Sequence, residues 1–550
     1  MILHDQALIR EYTQAGYWGQ RTLIDEFREQ ASAHRDRLAV VDPPDREQLL
    51  GTKPREKTWA QIAGAVEAVA ARLQDMGLEK DEVVIFQAPN VWELLVLYFA
   101  VGRIGGIPSP LPMQWRQHEL GHVAGTTGAR FYIAADNFRG MNYLDLVDKL
   151  EDDHRIEHRI PLTRISEWTD KPGDAGLPRD VVIDANDVFT LCWTSGTESL
   201  PKGTPLTHNN WFFQADRVLG LVDVRDGDRL LCVAPVVNMT GVGAMLLPWV
   251  FKAATLLLHH PLNMELLLQQ LTDAEPQYSI LVPAMLNMLV KLPNVDSLDL
   301  SHIRTVTTGS APPSAFALEE FKRRWGIEIT NLWGQNEGTA LVAGPHDVPE
   351  LNKRVDHMPW WGREAVDWPS AIPGVRVKIV GDNGESLTEP GAVGELAYRG
   401  PNLFPGYFRR PDVNEKSFDK EGFFFTGDNF KILDERFVSF FDRKKDIIIR
   451  GGFNISAAEI ENLAQAPPRV GDAAAIAVPD EVMGEKVCLC VVAKPGEQTP
   501  GLEDLTAWMR EQGVASYKLP EYLRLVDTIP RNPVGKILKR DLRQQGADGS

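Results

Sequence analysis

The sequence predicts an α/β protein with a large N-terminal domain of parallel βαβ-type sheets, a small β-barrel and a smaller α+β C-terminal domain. Apolar β-branched runs alternate with helical periodicity up to about residue 330, short strand-like runs follow from about Pro373, and mixed helices and strands follow Asp442. We therefore expect a large domain over residues 1–444, with its β subdomain at about 373–444, and a C-terminal domain over 445–550.

The first helices are indicated by their caps and their apolar spacing. Thr22 precedes a segment in which Leu23, Phe27 and Ala31 recur on one face, and Thr58 precedes a second segment of the same kind. The second segment carries apolar residues at three- and four-residue steps up to Gly77, which is typical of a helix end. Both segments are therefore predicted to be amphipathic helices.

The strands of the large domain are predicted from short apolar runs. They lie at 39–42, 83–87, 130–136, 187–193, 229–235, 254–259 and 278–283, and a last strand opens the stretch 305–313, which then turns. Helical patterns lie between most of them, which favours parallel βαβ units. The stretch from Asp148 to Pro178 is charged, contains scattered proline and glycine and has no clear period, so it is interpreted as a surface connection.

Composition and charge exclude several classes of function. Acidic residues outnumber basic ones 76 to 58, for a net charge of −18, which argues against a nucleic-acid surface but leaves a local phosphate site open. The four cysteines are interpreted as small core residues of a reduced compartment; Cys488 and Cys490 would share one strand face. The N-terminus lacks a signal-peptide pattern, and the most apolar stretch, 241–260, is broken by Pro248 and Lys252. We expect a cytoplasmic protein without a membrane span.

The stretch TSGTESLPKG, from Thr194 to Gly203, is the candidate phosphate loop. It follows a predicted buried strand and precedes a helix-like segment, and it combines hydroxyl groups, two glycines and the ammonium of Lys202. It is not a Walker A loop, because Gly203 follows the lysine instead of preceding it. An ordinary polar loop that contains a lysine is the alternative interpretation.

Four further motifs follow this loop in order. They are NLWGQNEGT (331–339), FFFTGD (423–428), DRKKDIIIRGGFNISAAEIE (442–461) and PRNPVGK (530–536). Together with the loop they resemble the acyl-adenylate-forming superfamily, which includes acyl-CoA synthetases, adenylation domains and luciferases. The chain looks most like cyclohexanecarboxylate–CoA ligases and 2,3-dihydroxybenzoate-type aryl-acid AMP ligases.

The resemblance implies the residues that bind ATP. The phosphates would lie at the loop, the adenine at Asn331 and at the flat ring of Trp333, and the ribose hydroxyls at Asp428 with Arg443. The full set is Thr194, Ser195, Gly196, Thr197, Lys202, Gly309, Ser310, Ala311, Asn331, Trp333, Gly334, Asn336, Asp428 and Arg443. The chain departs from the usual pattern at Glu198 and Ser199, which replace a Thr-Gly pair, and at Asn336, where many relatives carry threonine.

The resemblance also implies the catalytic groups. Lys536 would contact both the substrate carboxylate and the α-phosphate, and Glu337 would hold Mg²⁺ against the triphosphate. Lys445 matches a hinge about which a mobile C-terminal domain rotates after adenylation. The rotation would bring Arg450, Gly451 and Gly452 to the tunnel for the thiol arm.

The acid pocket is assigned to the segment that contains Val237, Asn238, Met239 and Val242. Its apolar character favours a monocarboxylic acid with an apolar body. The resemblance therefore implies an ATP- and Mg²⁺-dependent carboxylic acid–CoA ligase. There are two alternatives: an enzyme that loads a carrier protein, and a catalytically impaired nucleotide-binding relative. A homodimer is left open.

Overall fold

The chain forms two compact units. The computed structural model of the protein describes residues 1–151, 154–170, 176–194, 200–363, 366, 368, 373–444, 446–450, 453–467, 469–480, 482–497, 500–512, 514, 516–532 and 537–544. The first unit comprises Met1–Arg354, Asp367–Val375 and Arg399–Ser417; the second comprises Val355–Val366, Arg376–Tyr398 and Phe418–Ser550. The boundary at residue 445 stays a prediction.

The first unit contains helices and strands in alternation. Its strands are β1 (Leu38–Val41), β2 (Glu56–Thr58), β3 (Val83–Gln87), β4 (Ile107–Pro110), β5 (Phe131–Ala134), β6 (His158–Pro161), β7 (Val188–Trp193), β8 (Gly203–Thr207), β9 (Arg229–Cys232), β10 (Thr255–Leu258), β11 (Tyr278–Ile280), β12 (Thr305–Thr308), β13 (Glu328–Gln335) and β14 (Gly338–Ala343). Its helices are α1 (Gln6–Gln14), α2 (Leu23–Ala33), α3 (Arg46–Leu50), α4 (Trp59–Asp75), α5 (Trp92–Arg103), α6 (Gln117–Thr127), α7 (Leu162–Asp170), α8 (His208–Phe213), α9 (Met239–Gly241), α10 (Leu247–Phe251), α11 (Met264–Asp273), α12 (Pro283–Val290), α13 (Ala315–Trp325) and α14 (Pro411–Ser417).

Two of the sheets in this unit are largely parallel, as predicted. The eight-stranded sheet has the order β14-β13-β12-β11-β9-β10-β1-β2, with antiparallel pairing at its two ends, between β13 and β14 and between β1 and β2. The four-stranded sheet has the order β4-β3-β5-β6 and is parallel throughout. Strands β7 and β8 form a separate antiparallel pair.

Helices α2 and α4 begin where the capping residues predict. The hydroxyls of Thr22 and Thr58 each accept a hydrogen bond from the backbone three residues later, in a capping box. The apolar face of α2 is buried, and the ring of Phe27 stacks on Phe99 of α5 at 4.4 Å between centroids. The ring of Trp59 stacks on Trp249 at 4.5 Å. These aromatic contacts form part of the core between the helices.

Two expectations about the first unit are wrong. The stretch 148–178 is not only a surface connection, because it contains β6 and α7; β6 pairs in parallel with β5, and α7 buries Leu162 and Ile165. The candidate phosphate loop also does not lead directly into a helix. Strand β8 lies between the loop and α8, so the loop connects two antiparallel strands.

A buried ion cluster connects α3 with α5. The guanidinium of Arg46 donates to Asp42 at 2.8 Å and to both carboxylate oxygens of Glu93 at 2.8 and 2.6 Å. All three residues are at most 3% exposed. Ser166 of α7 also donates to Glu93, at 2.7 Å. The guanidinium of Arg46 is therefore the hydrogen-bonded counter-charge of two buried carboxylates.

The buried histidines of the first unit, His4, His208, His259 and His260, make its stability sensitive to acid. Burial lowers the pKa of His4, His208 and His260 to about 4 each. The unfolded chain therefore binds more protons than the folded chain below pH 6.5, and stability is lost as the pH falls from there towards 4. Burial and Glu93 raise the pKa of Asp42 to about 7, which acts in the opposite direction.

Replacing one of these histidines tests whether their burial causes the loss of stability at acid pH. In the wild type, the free energy of unfolding falls between pH 7 and pH 5. His208→Gln is expected to make this fall smaller by about 2 kcal/mol, because between pH 6.5 and pH 5 the histidine is protonated in the unfolded chain but not in the folded chain. Urea denaturation at the two pH values measures the drop. The exposed His118 supplies the control, His118→Gln, which should leave the drop unchanged. An unchanged drop in His208→Gln would contradict the expectation.

The second unit contains two further sheets. Its strands are β15 (Met358–Pro359), β16 (Arg376–Val380), β17 (Ser386–Leu387), β18 (Val393–Arg399), β19 (Phe424–Ile432), β20 (Phe437–Arg443), β21 (Ile448–Arg450), β22 (Phe453–Ile455), β23 (Val470–Asp480), β24 (Gly484–Ala493) and β25 (Tyr522–Leu525). Its helices are α15 (Ala457–Ala464), α16 (Leu502–Glu511) and α17 (Lys539–Gln544). Within the described part of the chain, the helices are too short or too polar to cross a bilayer.

The region expected to form a small antiparallel sheet or barrel forms a six-stranded sheet of order β15-β20-β19-β18-β16-β17. The longest strand of this sheet is β19, which runs without a break through the TGD motif. The five-stranded sheet places β21, β24 and β23 side by side, with β22 on β21 and β25 on β24. Cys488 and Cys490 lie on one buried face of β24 against Leu542 of α17, so their interpretation as core residues is confirmed.

Candidate functional site

The base of the candidate phosphate loop is closed by two hydrogen bonds. The backbone N–H of Thr194 donates to the carbonyl of Lys202 at 3.0 Å, and the N–H of Lys202 donates to the hydroxyl of Thr194 at 3.2 Å. Strands β7 and β8 therefore hold these two residues together at the mouth of the loop. The predicted contacts of Ser195, Gly196 and Thr197, and the open role of Glu198, lie outside the described residues.

Glu337 lies in the turn between β13 and β14, and it is only 5% exposed. Its carboxylate oxygen Oε1 accepts a hydrogen bond from the phenol of Tyr407 at 2.6 Å. Its backbone carbonyl accepts a second hydrogen bond from the N–H of Phe404 at 2.9 Å. The segment 404–407 thus holds both the backbone and the side chain of the predicted metal ligand.

Lys202 reaches the same tyrosine from the other side. Its ammonium lies 4.0 Å from the centroid of the Tyr407 ring, a cation–π distance. The N–H of Phe408 donates to the carbonyl of Gly203 at 2.9 Å, which ties this segment to β8. The structure therefore brings together the predicted phosphate lysine and the predicted metal carboxylate, with a tyrosine between them.

Sequence reasoning missed Tyr407. It follows Pro405 and Gly406, a dipeptide typical of turns, in a stretch that the sequence assigns to the β subdomain. The stretch Arg399–Ser417 instead belongs to the first unit. The sequence carries little signal for this placement, because the contact between Tyr407 and Glu337 joins residues 70 positions apart.

The predicted adenine residues lie on β13, beside β12. Asn331 is 3% exposed, and its side-chain amide donates to the carbonyl of Arg354 at 2.9 Å; Trp333 is 9% exposed. Gly309 follows β12, and a Cβ at this position would lie 2.7 Å from the carbonyl oxygen of Leu332 on β13. Glycine is therefore needed where the segment Gly309–Ala311 leaves the sheet.

Ser310, in the same segment, has a φ of 72°, a left-handed conformation that is uncommon for serine. Gly334, which follows Trp333, has the same steric requirement as Gly309, since a Cβ there would lie 2.8 Å from the hydroxyl of Thr339. The structure thus brings Gly309, Ser310 and Ala311 next to the strand that carries Trp333, as two adjacent parallel strands require.

Asn336 connects the phosphate loop with the predicted acid pocket. Its amide nitrogen donates to the carbonyl of Trp193, the last residue of β7, at 2.9 Å. Its amide oxygen accepts from the N–H of Met239, the first residue of α9, also at 2.9 Å. The asparagine that replaces the usual threonine is therefore occupied by two backbone groups, one on each side.

A charge-changing substitution separates the two contacts of Asn336. Asn336→Asp keeps an acceptor for Met239 but sets a negative oxygen against the carbonyl of Trp193. For the acid adenylation that the motif resemblance implies, we expect the KM for ATP to rise by about tenfold, the loss of roughly one hydrogen bond, while the KM for the acid stays within about twofold. Acid-dependent exchange of labelled pyrophosphate into ATP measures both constants. An equal rise in both would show that the two contacts are not separable.

The predicted acid-pocket residues surround the start of α9. The side-chain oxygen of Asn238 accepts from the N–H of Gly241 at 3.1 Å and caps this short helix. Val237 and Met239 are buried at 6% and 8% exposure, and Val242 is fully buried in the π-helical turn that follows. The amide of Asn238 therefore has a structural role, and the neighbouring side chains are apolar.

The predicted ribose residues lie in the second unit. Asp428 on β19 and Arg443 on β20 are direct cross-strand partners, and Oδ1 of the aspartate is 3.7 Å from Nε of the arginine. Arg450, predicted for the thiol tunnel, pairs with Glu521, whose second oxygen accepts from the N–H of Val487 at 3.0 Å. The predictions for Lys445, Gly451, Gly452 and Lys536 lie outside the described residues.

Comparisons with known proteins agree with this reading of the motifs. The AMP-binding enzyme family matches residues 27–408, and the AMP-binding enzyme C-terminal domain matches residues 459–536. A medium-chain fatty-acid–CoA ligase of Escherichia coli (strain K12) is 30% identical, over 97% of this chain and 92% of its own. A vibriobactin-specific 2,3-dihydroxybenzoate-AMP ligase of Vibrio cholerae is 26% identical, over 98% of this chain and 96% of its own.

A comparison with solved structures agrees with the predicted fold. The crystal structure of ATP-bound MatB from Rhodopseudomonas palustris is similar with a TM-score of 0.80 at 24% identity, over 96% of this chain and 99% of that chain. This confirms the predicted α/β fold with a large N-terminal domain and a small C-terminal domain. The family match extends over more than half of the chain and confirms the resemblance stated from the motifs. The chain therefore belongs to the AMP-binding enzyme family and is one of its ligases.

Proposed function

We propose that the protein is an ATP-dependent carboxylic acid–CoA ligase. The observation that carries the proposal is the arrangement of Lys202, Tyr407 and Glu337, which sets a cation for phosphate and a carboxylate for a metal ion around one buried ring. In the first step, a carboxylate oxygen of the acid attacks the α-phosphorus of ATP, and pyrophosphate leaves. In the second step, the thiolate of CoA attacks the acyl carbon, and AMP leaves.

Glu337 fits a magnesium site. Mg²⁺ is commonly bound by one or two carboxylates together with phosphate oxygens and water, so a single buried carboxylate beside the phosphate lysine suffices on the protein side. A bound Mg²⁺ supplies positive charge that neutralises the pyrophosphate leaving group. Glu337 would bind the ion, Lys202 would bind phosphate oxygens, and Lys536 would bring the two reacting anions into line.

The class of acid follows from the predicted pocket. Val237, Met239 and Val242 are apolar and buried, and the backbone N–H of Met239 donates to Asn336. Burial of an apolar acyl group against these side chains favours a monocarboxylic acid with an alicyclic, aromatic or medium-chain body. The fatty-acid ligase and the aryl-acid ligase among the relatives support this range.

A second candidate keeps the first step and changes the acceptor. In it, the acyl group goes to the phosphopantetheine arm of a separate carrier protein. The similarity to a 2,3-dihydroxybenzoate-AMP ligase favours this candidate.

Cytoplasmic location and a homodimer stay predictions. The third alternative is a nucleotide-binding protein of this family that does not catalyse the reaction. Its grounds are the departures from the family pattern at Glu198, Ser199 and Asn336.

One panel experiment separates these functions. Aliphatic, alicyclic and aromatic monocarboxylic acids are incubated with ATP and Mg²⁺, with and without CoA, and AMP, acyl-AMP and thioester are measured. Sustained AMP release with a CoA thioester is the expected result. Acyl-AMP formation without any CoA thioester would move the proposal to a carrier protein. Absence of pyrophosphate exchange with every acid would favour the binding-only alternative.

A further inference from the structure

Tyr407 separates two groups of opposite charge. The Lys202 ammonium lies over the ring face, and the Glu337 carboxylate accepts from the phenol hydroxyl at the ring edge. An ammonium and a carboxylate that approach each other in a buried, low-dielectric site attract strongly and tend to form a direct ion pair. A direct pair would neutralise both groups and orient them towards each other instead of towards a metal–phosphate ligand.

The backbone of Tyr407 is fixed more firmly than an ordinary turn requires. Its N–H donates to the side-chain oxygen of Asn414 at 2.7 Å, and the side-chain amide of Asn414 donates back to the carbonyl of Tyr407 at 3.0 Å. Gly406 has a φ of 126°, and a Cβ there would lie 2.9 Å from the same amide. The ring also packs edge-on against Phe404 at 4.9 Å between centroids.

The residues near Tyr407 in the chain also hydrogen-bond to the segments that carry Glu337 and Lys202. Phe404 donates to the backbone of Glu337, and Phe408 donates to the backbone of Gly203, next to Lys202. The tyrosine side chain is 5% exposed, so its ring has little freedom to move between the two charges. The ring therefore contacts Lys202 through its face and Glu337 through its hydroxyl from one fixed position.

We propose that Tyr407 is a positioning residue for the metal–nucleotide complex: its hydroxyl orients the Glu337 carboxylate for the magnesium ion, and its ring face holds the Lys202 ammonium at the phosphate side of the site. This inference rests on the proposed function, because it takes Glu337 as the metal ligand and Lys202 as the phosphate ligand. The role assigned to Tyr407 acts through these two groups.

Two substitutions separate the hydroxyl from the ring. Tyr407→Phe removes the hydrogen bond to the carboxylate and keeps the ring. We expect the Mg²⁺ concentration needed for half-maximal ATP binding to rise about tenfold or more, as for loss of a hydrogen bond to a charged group. ATP binding without metal should stay within about twofold. Tyr407→Leu also removes the ring face and should weaken ATP binding both with and without Mg²⁺.

The measurement is equilibrium displacement of a fluorescent ATP analogue by ATP across a Mg²⁺ titration, followed by pyrophosphate exchange under the same conditions. Tyr132→Phe is the matched control, because it removes another buried phenol, which donates to Gln87 at 2.8 Å in the four-stranded sheet. It should leave the Mg²⁺ requirement unchanged. In a Glu337→Gln background, Tyr407→Phe should have no further effect on the Mg²⁺ requirement, since both changes act on one contact.

The outcomes distinguish this inference from the proposed function. An unchanged Mg²⁺ requirement in Tyr407→Phe, or an equal loss of ATP binding with and without metal, would overturn the positioning role. A wild-type protein that binds no ATP, or exchanges no pyrophosphate with any acid, would instead overturn the proposed function. A raised Mg²⁺ requirement in Tyr407→Phe alone, with the control unaffected, is the supporting result.

Discussion

Replacing Lys536 by alanine is expected to lower the rate of acyl-AMP formation by about two to three orders of magnitude. Both reactants of that step are anions, so removing an ammonium that contacts both leaves their repulsion uncompensated in the transition state. Thioester formation from supplied acyl-AMP should be nearly unchanged, because the lysine has no assigned role in the second step. Single-turnover assays of the two half-reactions measure the difference.

The control for this substitution lies in the same unit. Lys494 is exposed, and Lys494→Ala removes an ammonium of the same kind without touching the PRNPVGK motif. Neither half-reaction should change in this variant. An equal loss in both half-reactions of Lys536→Ala would show a general structural defect and would remove the lysine from its proposed role.

Arg46→Met is expected to lower the free energy of unfolding by about 3–5 kcal/mol. The methionine fills part of the space, but Asp42 and Glu93 then remain buried together without their counter-charge. The variant should therefore be more stable at low pH relative to wild type than at neutral pH, because protonation removes the repulsion between the two carboxylates. Urea denaturation at pH 7 and pH 5 measures both effects.

An exposed arginine provides the comparison. Arg55 pairs with Asp170 at the surface, where about a third or more of each side chain is accessible, so Arg55→Met should change stability by less than about 1 kcal/mol. Adding Asp42→Asn and Glu93→Gln to Arg46→Met should restore much of the lost stability, since no buried charge remains. A triple variant as unstable as Arg46→Met would show that lost packing, and not lost charge, is responsible.

The parts of the fold that sequence predicts well are those with a local cause. The caps at Thr22 and Thr58 and the periodic apolar residues after them determine α2 and α4, and the apolar runs mark the parallel strands. Strand β8 was missed because its residues include Gly203 and Pro205, which have low strand propensity; it forms because β7 pairs with it.

In the candidate site, too, some features are predicted from sequence and others are not. Glu337 and Asn331 are predicted as site residues from sequence because their types and spacing follow a family pattern. Their actual partners cannot be found in this way: Tyr407 contacts Glu337 across 70 positions, and Arg354 accepts from Asn331 through its backbone, which no side-chain pattern records. Long-range contacts of this kind depend on how the segments pack, not on any one segment.

The sheet order of the second unit has a consequence for making pieces of this protein. A recombinant fragment that begins at Phe418 would contain β19 and β20 but not β18 and β15, which pair with their outer edges. Exposed strand edges of this kind promote aggregation. A fragment that begins at Asp442 keeps the whole five-stranded sheet, and it retains the carboxylate that accepts from the N–H of Ala458 at the start of α15. Asp442 is therefore the better first residue for isolating this part of the chain.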